Sequence, residues 1–389
     1  MKSLFKTVIV IALVYVGLLF FGPKHIQNGL KYWFSNVDDY KVFTNNTIQK
    51  SSSPKAWPIS SDYNKKQLSA EDEKYMTDRK TCAYLVFQNG QLIHEKYYDD
   101  YDSSTISGSF SMAKTVNALL IGKLIEEGKI GSINDDIKKY VPQLTQIKEG
   151  ELTIKDVITM SADIDWKESY WNIFSMTAES YYGEDLDHLM GKLKVRKDQQ
   201  QGKIWEYQSC CTQILGYIIK NVSNKSISAY TKEILWQPLG MENDALWSTD
   251  KNGGIEKSFC CLNATARDFG KLGALVLQKG KVDSTQIIPA QWIADMTKPA
   301  SYLKTADGRT CDWYGYQTWI IQQNNMSVPY FRGVHGQFIF VIPEKNAVIV
   351  RLGKKIEKKN IDEHEQNDDI KAYLRFGLSL RLDFRQIIR

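Results

Sequence analysis

β-forming text lies at both ends of this chain, with a long helical middle between, and that placement constrains the fold more than any other feature. Early on, "CAYLVFQNGQLIHEKYY" has two β-rich runs flanking Asn89-Gly90. That pair favours a two-residue hairpin turn, because both of its residues tolerate positive φ. Late in the chain, "DWYGYQTWIIQQ", "PYFRGVHGQFIFVIPE" and "NAVIVRLG" predict three neighbouring antiparallel strands. The text between is mostly helical. After Ser111, the residues Val116, Leu119, Leu120, Leu124 and Ile125 recur at helical spacing until Gly128 ends the pattern. Further helices are predicted in "SCCTQILGYIIKNV", "SISAYTKEILWQPLG" and "ATARDFGKLGALVLQKG", with a last one from Ala372. The first and last strands can then share one antiparallel sheet covered by helices on both faces, with an additional helical subdomain, an α+β fold. A chain of 389 residues has room for that core.

The N-terminus reads differently. Lys2 and Lys6 precede "TVIVIALVYVGLLFFG", an uncharged run of about 16 residues, close to the roughly 20 that span a bilayer. The run ends in bulky residues rather than a small-residue cleavage site. The prediction is therefore one transmembrane signal anchor over 1–22, with Lys2 and Lys6 on the cytoplasmic side and the rest outside the cytoplasm. Residues 23–67 are Ser-, Asn- and Lys-rich and read as a polar tether with little structure; residues 68–389 would form the globular domain. The net charge of +5 is spread along the chain, without the basic stripe a nucleic-acid binder needs. The six cysteines include no C-x-x-C and histidines are few, which points away from zinc. A bridge between the Cys210/Cys211 and Cys260/Cys261 pairs and a set of small buried thiols both remain open.

The chemistry concentrates at "SFSMAK". Ser111 and Lys114 are spaced S-x-x-K at the start of a helix, so both side chains lie on one face. A serine hydroxyl is a poor nucleophile without a base in reach, and a buried lysine can serve because desolvation lowers its pKa. The same spacing at Ser3, Ser52, Ser248 and Ser301 lacks this setting. A second piece is Tyr207-Gln208-Ser209, just ahead of another helix. A phenol beside a protonated lysine would ionise more easily and relay protons. Each piece also has a bland reading, a capping serine and a core tyrosine; together they are more specific. The irregular, aromatic-rich stretch from Asp163 to Gln201, with Tyr181 and Tyr182, is long enough to wall a pocket.

With "LTIKDVITMSADIDW", "ILGYIIKNVS", "YTKEILWQPLGM" and "ATARDFGKLGALVLQKG", these residues resemble the serine β-lactamase and penicillin-binding superfamily, on its class C-like and esterase branch. The chain is especially similar to 6-aminohexanoate-dimer hydrolases. The resemblance implies a β-lactamase/transpeptidase-like fold and an acyl-enzyme on Ser111, with Lys114 and Tyr207 as general base and acid. It implies a small ester or amide substrate and no metal or organic cofactor. Ser209 stands where a Y-x-N motif has Asn. K-T-G is absent, and two registers replace it. One puts His335-Gly336-Gln337 there; the other puts Phe331-Arg332-Gly333, which keeps the glycine and makes the N–H groups of Ser111 and Val334 the oxyanion hole. His335 would then touch substrate or play a structural part. Alternative functions are a β-lactamase or D-alanyl peptidase, and a catalytically silent binder of peptidoglycan-like ligands.

Overall fold

The computed structural model describes residues 2–381 apart from 33, 199, 324, 325, 358 and 359; the remainder of the expected domain, 382–389, lies outside the described residues. In chain order the elements are α1 (Lys2–Phe21), α2 (Lys24–Tyr32), β1 (Asn45–Ile48), α3 (Ala70–Asp78), β2 (Thr81–Gln88), β3 (Gln91–Tyr97), β4 (Ile106–Gly108) and α4 (Met112–Glu126). Then follow α5 (Ile154–Ile158), α6 (Met176–Tyr182), α7 (Leu186–Lys192), α8 (Ser209–Ser223), α9 (Ile227–Thr231), β5 (Ala245–Ser248), β6 (Leu262–Thr265) and α10 (Ala266–Leu277). The last are β7 (Lys281–Val282), β8 (Thr285–Gln286), α11 (Ala290–Met296), β9 (Trp319–Gln323), β10 (Met326–Gly333), β11 (Gln337–Ile342), β12 (Ala347–Gly353) and α12 (Asp368–Arg381).

The two ends do meet. A six-stranded antiparallel sheet runs β3-β2-β12-β11-β10-β9, with the early hairpin zipped to the last strand. Asn89 and Gly90 have φ of 52° and 73°, as a two-residue hairpin turn needs. The central strands β2 and β12 are apolar and buried almost throughout because helices cover both faces. On β12, Val348 packs on Gly273 of α10 while its neighbour Ile349 packs on Gly377 of α12. Successive residues of a strand point to opposite faces, so these two contacts place one helix on each side. The helices α4 to α9 build the additional helical region, with α4 packed on α8.

Three expectations need correction. The late text forms four strands, because Val334–Gly336 breaks "PYFRGVHGQFIFVIPE" into β10 and β11; His335 and Gly336 take φ of 62° and 84° there, which turns the chain. A second sheet, β1-β5-β6-β4, has no forerunner in the sequence reading. Finally, the segment after residue 22 is not a loose tether. It folds into α2 and β1, buries Ile26, Leu30, Val37 and Ile48, and pairs with β5. Its polar side chains are spent on structure: the Asn45 amide donates to the carbonyls of Tyr40 (2.7 Å) and Phe43 (2.9 Å), and Asn46 donates to Glu256 (2.8 Å). Polar composition concealed a few well-placed apolar anchors. At the start of the chain, Leu4–Phe21 within α1 is long and apolar enough to cross a membrane, and that window is not buried against the rest of the protein.

Candidate active site

The short strand β4 delivers Ser111. The Ser109 N–H donates to Leu262 O of β6 (2.8 Å) and the Gly108 N–H to Val37 O (2.9 Å), fixing the approach from both sides. Phe110 then takes φ of 45°, a strained conformation for an aromatic residue. This sharp turn starts α4 and leaves Ser111 half-buried at its N-terminus. The N–H groups of Met112, Ala113 and Lys114 turn back to the carbonyls of Ser109, Phe110 and Ser111, whereas the Ser111 N–H has no backbone acceptor among the described residues.

Lys114, one turn on, is 1% exposed. Its amine donates to Ser111 Oγ (3.2 Å), Ser209 Oγ (3.2 Å) and the Phe259 carbonyl (2.7 Å). Those three acceptors match the three ammonium protons. Burial brings its pKa down to about 8, against the opposing pull of the Glu168 carboxylate. Near neutrality, then, this amine can lose a proton and accept the one on Ser111.

Tyr207 lies across from it. Its hydroxyl lies beside Ser111, and Lys114 Nζ is 5.3 Å from the ring centre. The expectation of an easily ionised phenol is overturned: burial raises the Tyr207 pKa well above its ordinary value, and Glu168 adds to this, while Ser111 and Arg332 only partly offset it. Tyr207 stays protonated at physiological pH and can donate.

Ser209, in the Asn place, accepts from Lys114 and donates to Glu168 Oε1 (2.7 Å), while its own N–H donates to Glu168 Oε2 (2.8 Å). The intervening Gln208 binds the backbone of Ile164 and Trp166 with its side-chain amide, which ties the Asp163 stretch to α8. Glu168 escaped the sequence reading, since nothing in "WKESYW" distinguishes it. Tyr170 escaped too, although its half-exposed ring carries a hydroxyl that reaches down to Glu168 and Ser209. The Phe259 carbonyl, being backbone, leaves no mark in a sequence.

Of the two tripeptides considered for the third element, Phe331-Arg332-Gly333 forms the end of β10 beside Ser109. Gly333 ends β10 against the Ser109 carbonyl, so close that a Cβ there would lie 2.3 Å from that oxygen. Val334 follows directly. The turn is held from beneath by Arg351, buried in β12, whose guanidinium donates to the carbonyls of His335 (2.8 Å) and Gly336 (2.7 Å). His335 itself turns toward the N-terminal segment: its Nε2 is 2.9 Å from Ser35 O, and its ring meets Phe110 edge-on. Tyr181 and Tyr182 do likewise. The Tyr181 hydroxyl donates to Asp39 (2.6 Å), and both rings pack on Phe43. Among the described contacts, these three side chains meet the N-terminal segment rather than Ser111. Of the two expectations for the cysteines, the small buried thiol holds for Cys82, Cys210, Cys211 and Cys311, which are free and buried, whereas Cys260 and Cys261 are bonded to each other rather than to the Cys210/Cys211 pair.

A serine hydroxyl and a buried lysine on one helix, beneath the edge of an antiparallel sheet covered on both faces, define a serine hydrolase of the β-lactamase/transpeptidase-like fold. Comparison with known proteins agrees: the Beta-lactamase family profile matches residues 68–367, and the chain belongs to that family. The 6-aminohexanoate-dimer hydrolase of Paenarthrobacter ureafaciens is 24% identical over 300 residues, covering 72% of this chain and 74% of the relative. A Bacillus anthracis structure assigned as a 6-aminohexanoate-dimer hydrolase superposes with a TM-score of 0.75 at 22% identity, over 90% of this chain and 93% of its own. A family VIII carboxylesterase structure gives 0.63 at 14% identity, over 83% and 99%. Both structural likenesses speak to the fold.

Proposed function

We propose that the chain is a membrane-anchored hydrolase that cleaves a small ester or amide through an acyl-enzyme on Ser111. One observation carries this reading: the Lys114 amine is buried, has its pKa lowered to about 8, and is held 3.2 Å from the Ser111 hydroxyl. Neutral Lys114 takes the Ser111 proton as Oγ bonds to the substrate carbonyl carbon. The negative oxygen of the tetrahedral intermediate is received by the N–H groups of Ser111 and Val334. Tyr207, kept protonated by burial, gives its proton to the departing oxygen or nitrogen, and the proton that Lys114 took from Ser111 returns to the tyrosinate, which leaves the amine neutral again. Water, deprotonated by the same amine, then releases the acyl group. Ser209 orients Lys114, and His335 holds the N-terminal segment in place. The apolar helix α1 is the anchor, with the catalytic domain outside the cytoplasm.

The activities for which the relatives are named support an amide or ester substrate. The test is turnover of a short p-nitrophenyl ester, a small linear amide and the chromogenic β-lactam nitrocefin. Wild type should cleave the ester or the amide, and Ser111→Ala should lose about 10³-fold or more in kcat/KM. Undiminished turnover in Ser111→Ala would mean that another residue is the nucleophile. Nitrocefin cleavage would move the substrate to the β-lactam class, and inertness toward all three would favour the silent binder.

A further inference from the structure

Among the described residues after α1, four of the five exposed aromatic side chains lie in one region, and the fifth, Tyr302, lies apart beside Lys155. Phe34, Trp171 and Phe174 are 57%, 81% and 66% exposed, and Tyr170 is next to them. They come from two stretches only, the turn after α2 and the loop before α6. Phe34 meets Trp171 edge-on with ring centres 5.8 Å apart, and Ile173 packs on Gly29 of α2. The loop is therefore pinned to the helix that follows α1, with only Gly22 and Pro23 between them. A nine-residue helix is about 13 Å long, so the cluster lies close to the end of the apolar helix. α2 turns Ile26, Gly29 and Leu30 inward and leaves Lys24 and Lys31 exposed.

Large aromatic clusters in contact with water mark interaction surfaces. Aromatic rings flanked by lysines suit the headgroup boundary of an anionic bilayer, where the rings enter the interface and the lysines meet phosphates. Continuity with a helix long enough to cross a membrane favours the bilayer over a protein partner. The same loop also leads inward, because Glu168 holds Ser209 and the Tyr170 hydroxyl reaches both. The patch is thus the outer lip of the candidate active site.

We propose that Phe34, Trp171 and Phe174, with Lys24 and Lys31, seat the domain on an anionic bilayer, and that its substrates are esters or amides of bilayer-resident amphiphiles presented to Ser111 from the membrane surface. This rests on the hydrolase reading above. The test uses the full chain in phosphatidylglycerol vesicles, with two measurements. First, an environment-sensitive fluorophore on Phe174→Cys should be quenched by lipids carrying a nitroxide near the headgroup, and the same fluorophore on Asp283→Cys, in the β7–β8 hairpin, should not. Second, p-nitrophenyl esters of acetate in solution and of palmitate in the vesicles are compared. The triple variant Phe34→Ser/Trp171→Ser/Phe174→Ser should lose about tenfold or more on the vesicle-borne ester and stay within about twofold on acetate, with Phe34→Leu/Trp171→Phe/Phe174→Leu intermediate on the former. Equal quenching at the two labelled positions, or equal changes on both esters, would overturn the proposal. If wild type cleaves neither ester and also leaves the small amide and nitrocefin intact, the hydrolase reading falls, and the quenching alone decides the surface.

Discussion

Lys114 and Lys257 are both 1% exposed and both depressed in pKa by burial, to about 8 and about 7. They bracket the same turn, since Lys257 begins the run whose Phe259 carbonyl binds Lys114. Their surroundings differ in kind. The Lys257 amine donates to the Tyr181 carbonyl (2.6 Å) and lies 3.8 Å from the centre of the Phe43 ring. Its charge is balanced by Asp250, Asp39 and Glu184. It fastens the N-terminal segment to the domain and has no hydroxyl among its described partners. Lys114 has two, Ser111 and Ser209. A lowered pKa makes an amine available as a base; a hydroxyl within hydrogen-bond reach, on a turn that exposes it to a carbonyl, gives that base something to do. By pKa alone, the wrong lysine would rank first.

The largest expected effect separates the two directly. Lys114→Met should lower kcat/KM for a short ester by roughly 10²–10⁴-fold, the range of a general base, whereas Lys257→Met should stay within about threefold. Circular dichroism checks that both variants fold. A comparable loss in both would erase the distinction.

Next comes pH. Lys114 acts as a base only when neutral, so kcat/KM should rise with pH by about tenfold per unit below the pKa and level off above about 8. Lys257→Met should leave that limb in place. A limb that descends through this range, or that disappears in Lys257→Met, would assign the titration to the wrong group.

A smaller effect belongs to Glu168. Its carboxylate favours the Lys114 ammonium, so Glu168→Gln should move the ascending limb to lower pH. The plateau should also fall severalfold, because one of the two carboxylate oxygens that accept from Ser209 becomes an amide nitrogen, which cannot accept. A shift to higher pH would contradict the electrostatic picture of the site.

Local chemistry made much of this legible in the sequence. The hairpin at Asn89-Gly90 is fixed by the φ that those two residues accept, and Ser111 with Lys114 by the pitch of a helix. Tyr207 and Ser209 were visible as a motif at a helix start. Residues that act through tertiary contact were not. Glu168 matters because Gln208 folds its loop onto α8, and Arg351 because it supports a turn contributed by the preceding hairpin. Phe110 adopts positive φ with no glycine to announce it. The N-terminal segment misled most: Ile26 and Leu30 lie one helical turn apart, but that single turn is short, and Val37 and Ile48 stand alone in polar text. His335, Tyr181 and Tyr182 were placed near the right region, but they face that segment, and the buried environment of Tyr207 reversed its expected shift.

Fluorophosphonate labelling, followed by intact mass and peptide mapping, tests most directly whether Lys114 activates Ser111. A single adduct on Ser111 should form at similar rates in wild type and Lys257→Met and be slowed about 10²-fold or more in Lys114→Met. An adduct on any other serine, or undiminished labelling of Ser111 in Lys114→Met, would contradict it.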